Sequence, residues 1–346
     1  KQTENEQTIA KDSIHSVQVI DRDLSYESTP GASDQNRVKI TTEGVNAVYA
    51  RHIGATAGDH VVAYLRKCQC ADEKAGKYDL IIAGPGGVVA PANMSRWMVG
   101  LRDPWASHLD MIDLRALDTS HVTDMSYMFY YCGNLKTLTF GEQFDTSNVT
   151  NMTEMFSANP ALEQLDLTKF NTSKVTSLQN MFYACRALKS LNLSSFDTSK
   201  VTTMQGLFVD CQGLESVDIS SFDTSQVTNM KAMFKTCNNL EDIRFGSKFT
   251  TVAVKDMKEM FSACYALTQL DLNSFDTSSV TDMEKMFANC TGLQSIELGE
   301  NFDTQNVTTM YEMFMGCEKL EALDLGGKFD TSNVTSMEDM FFSCKS

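Results

Sequence analysis

The chain has 346 residues, a formal net charge of −16 at pH 7 and a sequence pI near 4.7. This acidic balance disfavours binding to the phosphate backbone of nucleic acids. No apolar run approaches the roughly 18 to 20 residues that a membrane-spanning helix needs. We therefore expect neither a nucleic-acid partner nor a transmembrane segment in this chain.

The two ends of the sequence are polar. Residues 1–12 are expected to be disordered, and their opening, KQTENEQT, is not a secretion signal. The sequence stops at CKS, partway through a repeated unit. We expect that an export signal and a cell-wall anchor lie outside this sequence.

Residues 13–105 are predicted to form a small, mainly β module. Short alternating stretches predict strands at 16–20, 37–42, 46–53 and 60–68. Residues 78–91 predict two strands around a Gly-Pro-Gly-Gly segment, which lacks the Lys-Ser/Thr of a phosphate-binding loop. The end of the module, with Trp97 and Trp105, is expected to cap the array that follows, because an open end leaves strand edges exposed.

One polar stretch of this module, RKCQCADEK, holds Cys68 and Cys70. Together with His52 and His60 these cysteines match no standard zinc-site spacing, so a structural thiol pair or a local disulfide is the better interpretation. We predict no metal ion and no cofactor. The role of residues 13–75 does not follow from the sequence.

From residue 106 to residue 346 the sequence repeats every 26 or 27 residues. The segment FDTSNVTNMTEMF, or a close variant of it, begins at Phe144, Phe170, Phe196, Phe222, Phe275, Phe302 and Phe329. Such a period indicates a solenoid, in which each coil buries its apolar face by stacking on its neighbours. The copy FTTVAVKDMKEMF, from Phe249, lacks the Asp and the Ser of its turn, which predicts a local distortion.

A single unit, residues 185–208, predicts the path of one coil. Leu188, Leu191, Leu193 and Phe196 match the L-x-x-L-x-L-x-x-F pattern of a leucine-rich repeat, whose alternation predicts a short strand. DTS then forms a turn, and the near-helical spacing of the next apolar residues predicts one helical or 3₁₀ turn. The 27-residue units add one residue beside a glycine, which is expected to form a bulge that leaves the core unchanged.

The predicted fold is therefore an α/β repeat solenoid. It is of the right-handed leucine-rich-repeat type, with one short parallel strand per coil.

The units resemble the BspA-like leucine-rich-repeat surface proteins of bacteria, in the branch whose units read FDTSxVTxMxxMFxxCxxLxxLDL. The resemblance covers about residues 106–346. It implies a secreted or wall-anchored protein of the bacterial cell surface, an adhesin. Its expected partner is a host extracellular matrix protein, a mucin, or a cell-surface glycan or receptor.

Eight of the ten cysteines occupy one repeat column. The column contains Cys132, Cys185, Cys211, Cys237, Cys264, Cys290, Cys317 and Cys344, with Asn159 as its ninth member. Asn and Cys can each hydrogen-bond the backbone of a turn from inside the stack. Because parallel Cβ vectors about 4.8 Å apart suit disulfides poorly, a ladder of buried thiols is favoured over a disulfide framework.

The middle residue of each predicted strand faces outward, and this column is mostly acidic. Its acidic members are Asp113, Asp166, Asp218, Asp271, Glu297 and Asp324. Three interpretations remain open: a solvated face, a binding face for a basic or amide-rich ligand, or an ordered calcium site. No calcium-loop motif supports the third.

Other columns offer weaker candidates. Tyr127, Tyr130, Tyr131 and Tyr183 stand at variable positions and either contact a protein or glycan partner or pack against the N-terminal module. Two threonine columns, represented by Thr198 and Thr202, suit turn hydrogen bonds better than an ice-binding surface.

These observations favour a surface binding protein over an enzyme, because the repeat brings no nucleophile and base together. The alternative is a structural spacer that presents another domain. Were catalysis present, the N-terminal module would be the place for it.

Overall fold

The computed structural model describes residues 14–21, 26–28, 38–40, 47–52, 62–67, 78–84, 88–98 and 110–345. Several predictions lie outside these residues: disorder in 1–12, the pair Cys68 and Cys70, the capping role of Trp105, and the module boundary after residue 105. The chain divides into two compact units. The first contains residues 1–91, 98–121 and 131–145, and the second contains 92–97, 122–130 and 146–346.

The first unit is built from ten strands. They are β1 (Ile14–Asp21), β2 (Tyr26–Ser28), β3 (Val38–Ile40), β4 (Ala47–His52), β5 (Val62–Lys67), β6 (Tyr78–Gly84), β7 (Val88–Val89), β8 (Met111–Leu114), β9 (Leu117–Asp118) and β10 (Thr137–Phe140). Six of them form a sheet in the order β10-β8-β1-β6-β5-β4. The predicted strands of the N-terminal module are confirmed, and β2 is an addition to them.

The first unit joins a strand from the start of the chain to strands of the repeat. β1 lies between β6 and β8 and is parallel to both, while β8 pairs in parallel with β10. The two strands predicted over 78–91 are present, but β7 pairs with β9, not with β6.

The second unit has four strands of its own. They are β11 (Ser216–Ile219), β12 (Asp242–Phe245), β13 (Gln269–Asp271) and β14 (Ser295–Glu297). They form two separate parallel pairs, β11-β12 and β13-β14. A solenoid with short parallel strands about one repeat apart is therefore confirmed, although residues 162–167, 188–193 and 320–325 carry no strand.

The continuous ladder of the second unit lies on the opposite part of each coil, at the residue before the first core Met. Parallel bridges connect Asn93, Asp124, Asn151, Ser177, Thr203, Asn229, Asp256, Asp282, Thr309 and Ser336 without a gap. Residue 93 takes part although it precedes residue 106, where the sequence places the start of the array.

The predicted helical turn is wrong. In residues 110–345 the structure contains no α- or 3₁₀-helix, and the segment after each core Met is a series of β-turns. In the coil of Met204, Leu207 N–H donates to Met204 and Cys211 N–H donates to Phe208, while Gly206 and Asp210 have φ values of 63° and 59°. A left-handed residue after every third or fourth position prevents a helix.

The turns leave alternate amide groups free to join the coils. Gly206 N–H donates to Lys231 O, and Phe208 N–H donates to Met233 O, both at 2.9 Å. The backbone therefore satisfies itself between neighbouring coils, as buried amide groups require.

Two apolar columns fill the interior of the second unit. The rings from Phe129 to Phe341 stack one per coil, with centroids 5.2–5.8 Å apart. The Met columns beside them are also buried; Met204, Met230 and Met257 are 0% exposed. The core columns that the sequence predicts are thus in place.

The motif FDTSxVT is explained by three sets of hydrogen bonds. The Asp197 carboxylate accepts from Ser199 N–H within its own turn, at 3.0 Å. The buried Thr198 hydroxyl donates to Asp223 O of the next coil at 2.8 Å, and the exposed Thr202 hydroxyl donates to Thr176 O of the previous coil at 3.2 Å. One threonine column is therefore buried, and turn hydrogen bonding accounts for both columns.

The unit from Phe249 keeps the same connections despite its altered turn. The Thr251 hydroxyl donates to Asp276 O at 2.7 Å, and Lys255 N–H donates to Thr228 O at 2.9 Å. The distortion predicted for this turn is absent because backbone groups, which any residue supplies, make the ladder.

The cysteine column is a ladder of free thiols. Cys185 Sγ donates to Phe156 O of the preceding coil at 3.2 Å, and burial raises its pKa to about 12. Asn159 does the same work, since its Nδ2 donates to Phe129 O at 2.9 Å. The predicted equivalence of Asn and Cys is confirmed.

Candidate binding face

We call the exposed side chains of the strand segments the strand face. Along β11 and β12 the pattern alternates, so Asp218 points to solvent between buried Val217 and Ile219. The same alternation places Asp166, Asp271, Glu297 and Asp324 on this surface, where all four are exposed. Asp113 differs: it is 9% exposed and forms an ion pair with Arg115 at 2.6 Å.

The acidic column has a structural role that sequence reasoning missed. Each Asp or Asn of the column accepts a hydrogen bond from the amide two residues later, closing the turn after the strand. Asn192 does this as well as Asp166 does, with distances of 3.1 and 3.0 Å. The turn therefore needs the side-chain oxygen and not the charge.

The remaining members of this column reveal a second way to turn. Thr139, Arg244 and Glu297 are neither Asp nor Asn, and each is followed two residues later by a glycine, at 141, 246 and 299. A Cβ on Gly246 would collide with the backbone carbonyl of Ser220, so no other residue fits there. These glycines belong to the 27-residue units.

The glycine insertions interrupt strand pairing in the second unit. Paired strands start 26 residues apart, as in β11 with β12 and β13 with β14. From β12 to β13 the step is 27 residues, and these strands are not paired. The inserted residue is absorbed without disturbing the core, as predicted, but the strand ladder ends there.

Two grooves lie on the strand face where the ladder is interrupted. The larger, of about 660 Å³, is lined by β12, Gly246, β13, Asn273 and parts of β14. The smaller, of about 400 Å³, follows β14 and is lined by residues 298–300 and 324–328 among others. Asn273 and Glu297 line both grooves, which therefore meet.

The larger groove combines an apolar floor with acidic side chains. Ile243, Phe245 and Leu270 contribute apolar surface, and Asp242, Asp271 and Glu297 contribute carboxylates. The single basic residue among the residues that line it is Arg244, which is 3.5 Å from Asp218 of the preceding coil. We call this site the β12–β14 groove.

The opposite part of the coils balances its charges. There Arg186 pairs with Asp210 at 2.6 Å, Lys235 with Glu259 at 2.7 Å and Lys258 with Glu284 at 2.6 Å, each between neighbouring coils. Across 110–345 no ion pair involves Asp242, Asp271 or Glu297. The strand face thus carries negative charge that the protein itself leaves uncompensated.

The tyrosines named from the sequence divide into two groups. Tyr127 and Tyr130 pack edge to face with centroids 5.7 Å apart, and the Arg96 guanidinium lies 4.9 Å from the Tyr127 ring centroid. Partial burial, followed by the nearby Glu154 carboxylate, raises the pKa of Tyr127. Packing against the segment before the array is therefore what the structure gives for Tyr127.

Tyr131 and Tyr183 are exposed, by 45% and 41%. Tyr265, which sequence reasoning did not single out, is also 45% exposed. These rings belong to the turn part of their coils and not to the strand face.

Two further searches were confined to the described residues. No group of three or more His, Cys, Asp or Glu side chains is arranged there to hold a metal ion. Nor does that part of the chain contain a helix long and apolar enough to span a membrane.

Solved structures give distant similarities. A leucine-rich cell surface protein from Faecalibacterium prausnitzii A2-165 is 16% identical, with 82% of this chain and 85% of that chain covered and a TM-score of 0.36. A leucine-rich repeat protein from Bacteroides ovatus is 12% identical, with coverages of 91% and 89% and a TM-score of 0.28. The functional domain of InlJ from Listeria monocytogenes, which includes a cysteine ladder, is 12% identical, with coverages of 63% and 54% and a TM-score of 0.21.

No curated protein matches the sequence significantly. A family does match: Mycoplasma protein of unknown function, DUF285, over residues 103–214, 204–298 and 255–346. These three matches together span more than two thirds of the chain and coincide with the repeated units. The chain is therefore a member of the DUF285 family.

Proposed function

We propose that this chain is a BspA-like surface protein, an adhesin that is secreted or displayed on a bacterial cell wall. It binds a host matrix protein, mucin or glycan through the strand face and is not an enzyme. The observation that carries the proposal is the uncompensated acidity of the strand face beside a turn side whose charges are paired. Charges that the fold does not use are available to a partner.

The scaffold supports this role. Backbone and side-chain hydrogen bonds hold every coil of the second unit to the next, so side chains on the strand face keep fixed positions. Binding sites on a rigid element lose little conformational entropy when a partner docks. Long repeated surfaces also allow several weak contacts to act together.

The test is binding of the purified protein to arrays of matrix proteins, mucins and glycans at physiological salt. It is run beside a variant with Asp166, Asp218, Asp271 and Asp324 changed to Asn. Because Asn192 already closes the same turn, this variant should keep the fold and lose only charge. Circular dichroism and thermal unfolding check that it does.

A saturable partner that the variant binds at least ten-fold more weakly would support the proposal. A partner that the variant retains moves the site to the exposed tyrosines Tyr131 and Tyr183 or to the N-terminal module. No binding to any array would contradict the adhesin function and leave a spacer as the better explanation.

A further inference from the structure

We propose that the β12–β14 groove is the docking site for an extended basic segment of a partner protein, one that carries Lys or Arg side chains. This inference rests on the proposed binding function and narrows it to one site and one ligand chemistry. It starts from the glycine insertions, which the repeat pattern alone treats as neutral.

The insertion after β12 creates the site. The step from β12 to β13 leaves the two strands unpaired, and the groove of about 660 Å³ lies over this interruption. The facing edges of these strands carry backbone donors and acceptors that no neighbouring strand uses. An extended peptide is the ligand that such edges hydrogen-bond.

The second insertion lengthens the site. Gly299 lines the smaller groove, and Asn273 and Glu297 join it to the larger one. The joined groove crosses four successive coils, from β12 to residues 324–328. At roughly 4.8 Å per coil this is roughly 14 Å, the length of about four or five extended residues.

The lining selects basic side chains. The carboxylates of Asp242, Asp271 and Glu297 attract ammonium or guanidinium groups, and no ion pair in 110–345 engages them. Ile243 and Leu270 beside them suit the methylene stems of Lys and Arg, which bury along apolar surface while the charge stays near water.

Two sets of variants separate the groove from the general acidity of the chain. The first replaces residues 244–248, Arg-Phe-Gly-Ser-Lys, with Asp-Ile-Ser-Ser, the sequence of residues 218–221. This change restores a 26-residue step between β12 and β13 and should close the groove. It removes two basic residues and adds an acidic one, so the variant is more acidic than the original chain.

The second set changes charge alone. Asp242→Asn, Asp271→Asn and Glu297→Gln neutralise the groove, while Glu163→Gln, Asp166→Asn and Glu215→Gln remove the same charge elsewhere on the strand face. The probe is a fluorescein-labelled ten-residue peptide of alternating Lys and Thr, with a Glu-Thr peptide as its control. Fluorescence anisotropy at physiological salt measures the dissociation constant.

We expect the Lys-Thr peptide to bind the original chain, and both the groove-closed and the groove-neutral variants to bind at least ten-fold more weakly. The Glu163, Asp166 and Glu215 variant should change the dissociation constant less than three-fold. Equal loss in the two charge variants, or undiminished binding by the more acidic groove-closed variant, would overturn the proposal. So would the absence of peptide binding.

The two proposals fail differently. If an array protein binds but the Lys-Thr peptide does not, the adhesin function stands and the groove assignment falls. Variants of both sets are compared by thermal unfolding, and a groove-closed variant that does not fold leaves the charge variants as the deciding pair.

Discussion

The turn side and the strand face of the second unit are built from the same repeat, yet they are held together very differently. On the turn side, which in one coil runs from Asp197 to Cys211, every coil repeats the same backbone bonds, the same Phe stack and the same thiol contact. On the strand face, pairing is limited to two couples of strands. The turn side determines the fold, and the strand face is free to vary.

The largest difference should appear on removing a core side chain from each side. Phe208 is fully buried on the turn side, whereas Ile243 of β12 is half-buried. We expect Phe208→Ala to lower the free energy of unfolding by about 3–5 kcal/mol. Ile243→Ala should cost about 1–2 kcal/mol, because less apolar area is lost.

Urea titration followed by circular dichroism measures both values. Equal costs would show that the two sides contribute equally and would break the comparison.

The next effect concerns the thiol column. Asn159→Ala removes the donor to Phe129 O and leaves a buried carbonyl without its partner, so we expect a loss of about 1–3 kcal/mol. Asn159→Cys should lose less than about 1 kcal/mol, because Cys185 already fills this role in the next coil. A Cys variant as unstable as the Ala variant would argue against equivalence. Thermal unfolding under reducing conditions distinguishes them.

A smaller effect should separate the two threonine columns. Thr198→Val removes a buried hydroxyl bonded to Asp223 O, and we expect it to cost about 1–2 kcal/mol. Thr202→Val removes an exposed hydroxyl and should change stability by less than about 0.5 kcal/mol. The pair is measured in one denaturation series. If Thr202→Val is the costlier change, the hydroxyl roles assigned here are wrong.

The smallest effects are pH-dependent and of opposite sign. Burial, with a further contribution from neighbouring Asp282, raises the pKa of Asp256. A raised carboxyl pKa means that folding favours the protonated form, so ionised Asp256 lowers stability at neutral pH. Asp256→Asn should therefore raise the unfolding midpoint at pH 7, and the gain should vanish as pH falls below about 4.

Asp197 provides the opposite control. Hydrogen bonds from Ser199 lower its pKa, so its ionised form stabilises the fold, and this contribution is lost as pH falls through its folded pKa. Asp197→Asn should lower the midpoint at pH 7 and have no effect at the acid end. Thermal melts between pH 3 and pH 7 measure both variants; the same sign for both would contradict the assigned environments.

The repeat period determines what could be predicted from the sequence. Buried columns recur at fixed intervals, so the solenoid, its core and the exchange of Asn for Cys all follow from spacing. The series of left-handed turns does not, because its special positions carry Tyr127, Glu154, Asn180 and Ala232 as well as Gly206. Their apolar neighbours are spaced as in a helix, which made a helical turn the natural prediction.

The candidate site was predicted only in part. Acidic side chains on the strand face were identified correctly as a surface, but their hydrogen bonds to the following turn were not anticipated. The groove was missed although the sequence held a signal for it. Each 27-residue step marks a place where strand pairing ends, and Arg244 and Glu297 mark two of them by replacing Asp or Asn.

The direction of the hydrogen bonds between coils has a mechanical consequence. Bonds such as Thr202 N–H to Thr176 O connect one coil to the next, so a force that separates the coils pulls on them directly. The coils of the second unit bear such a load in series, and each junction carries the whole of it. Where strand pairing is absent, as between β12 and β13, the turn side alone resists, and there the array should extend first.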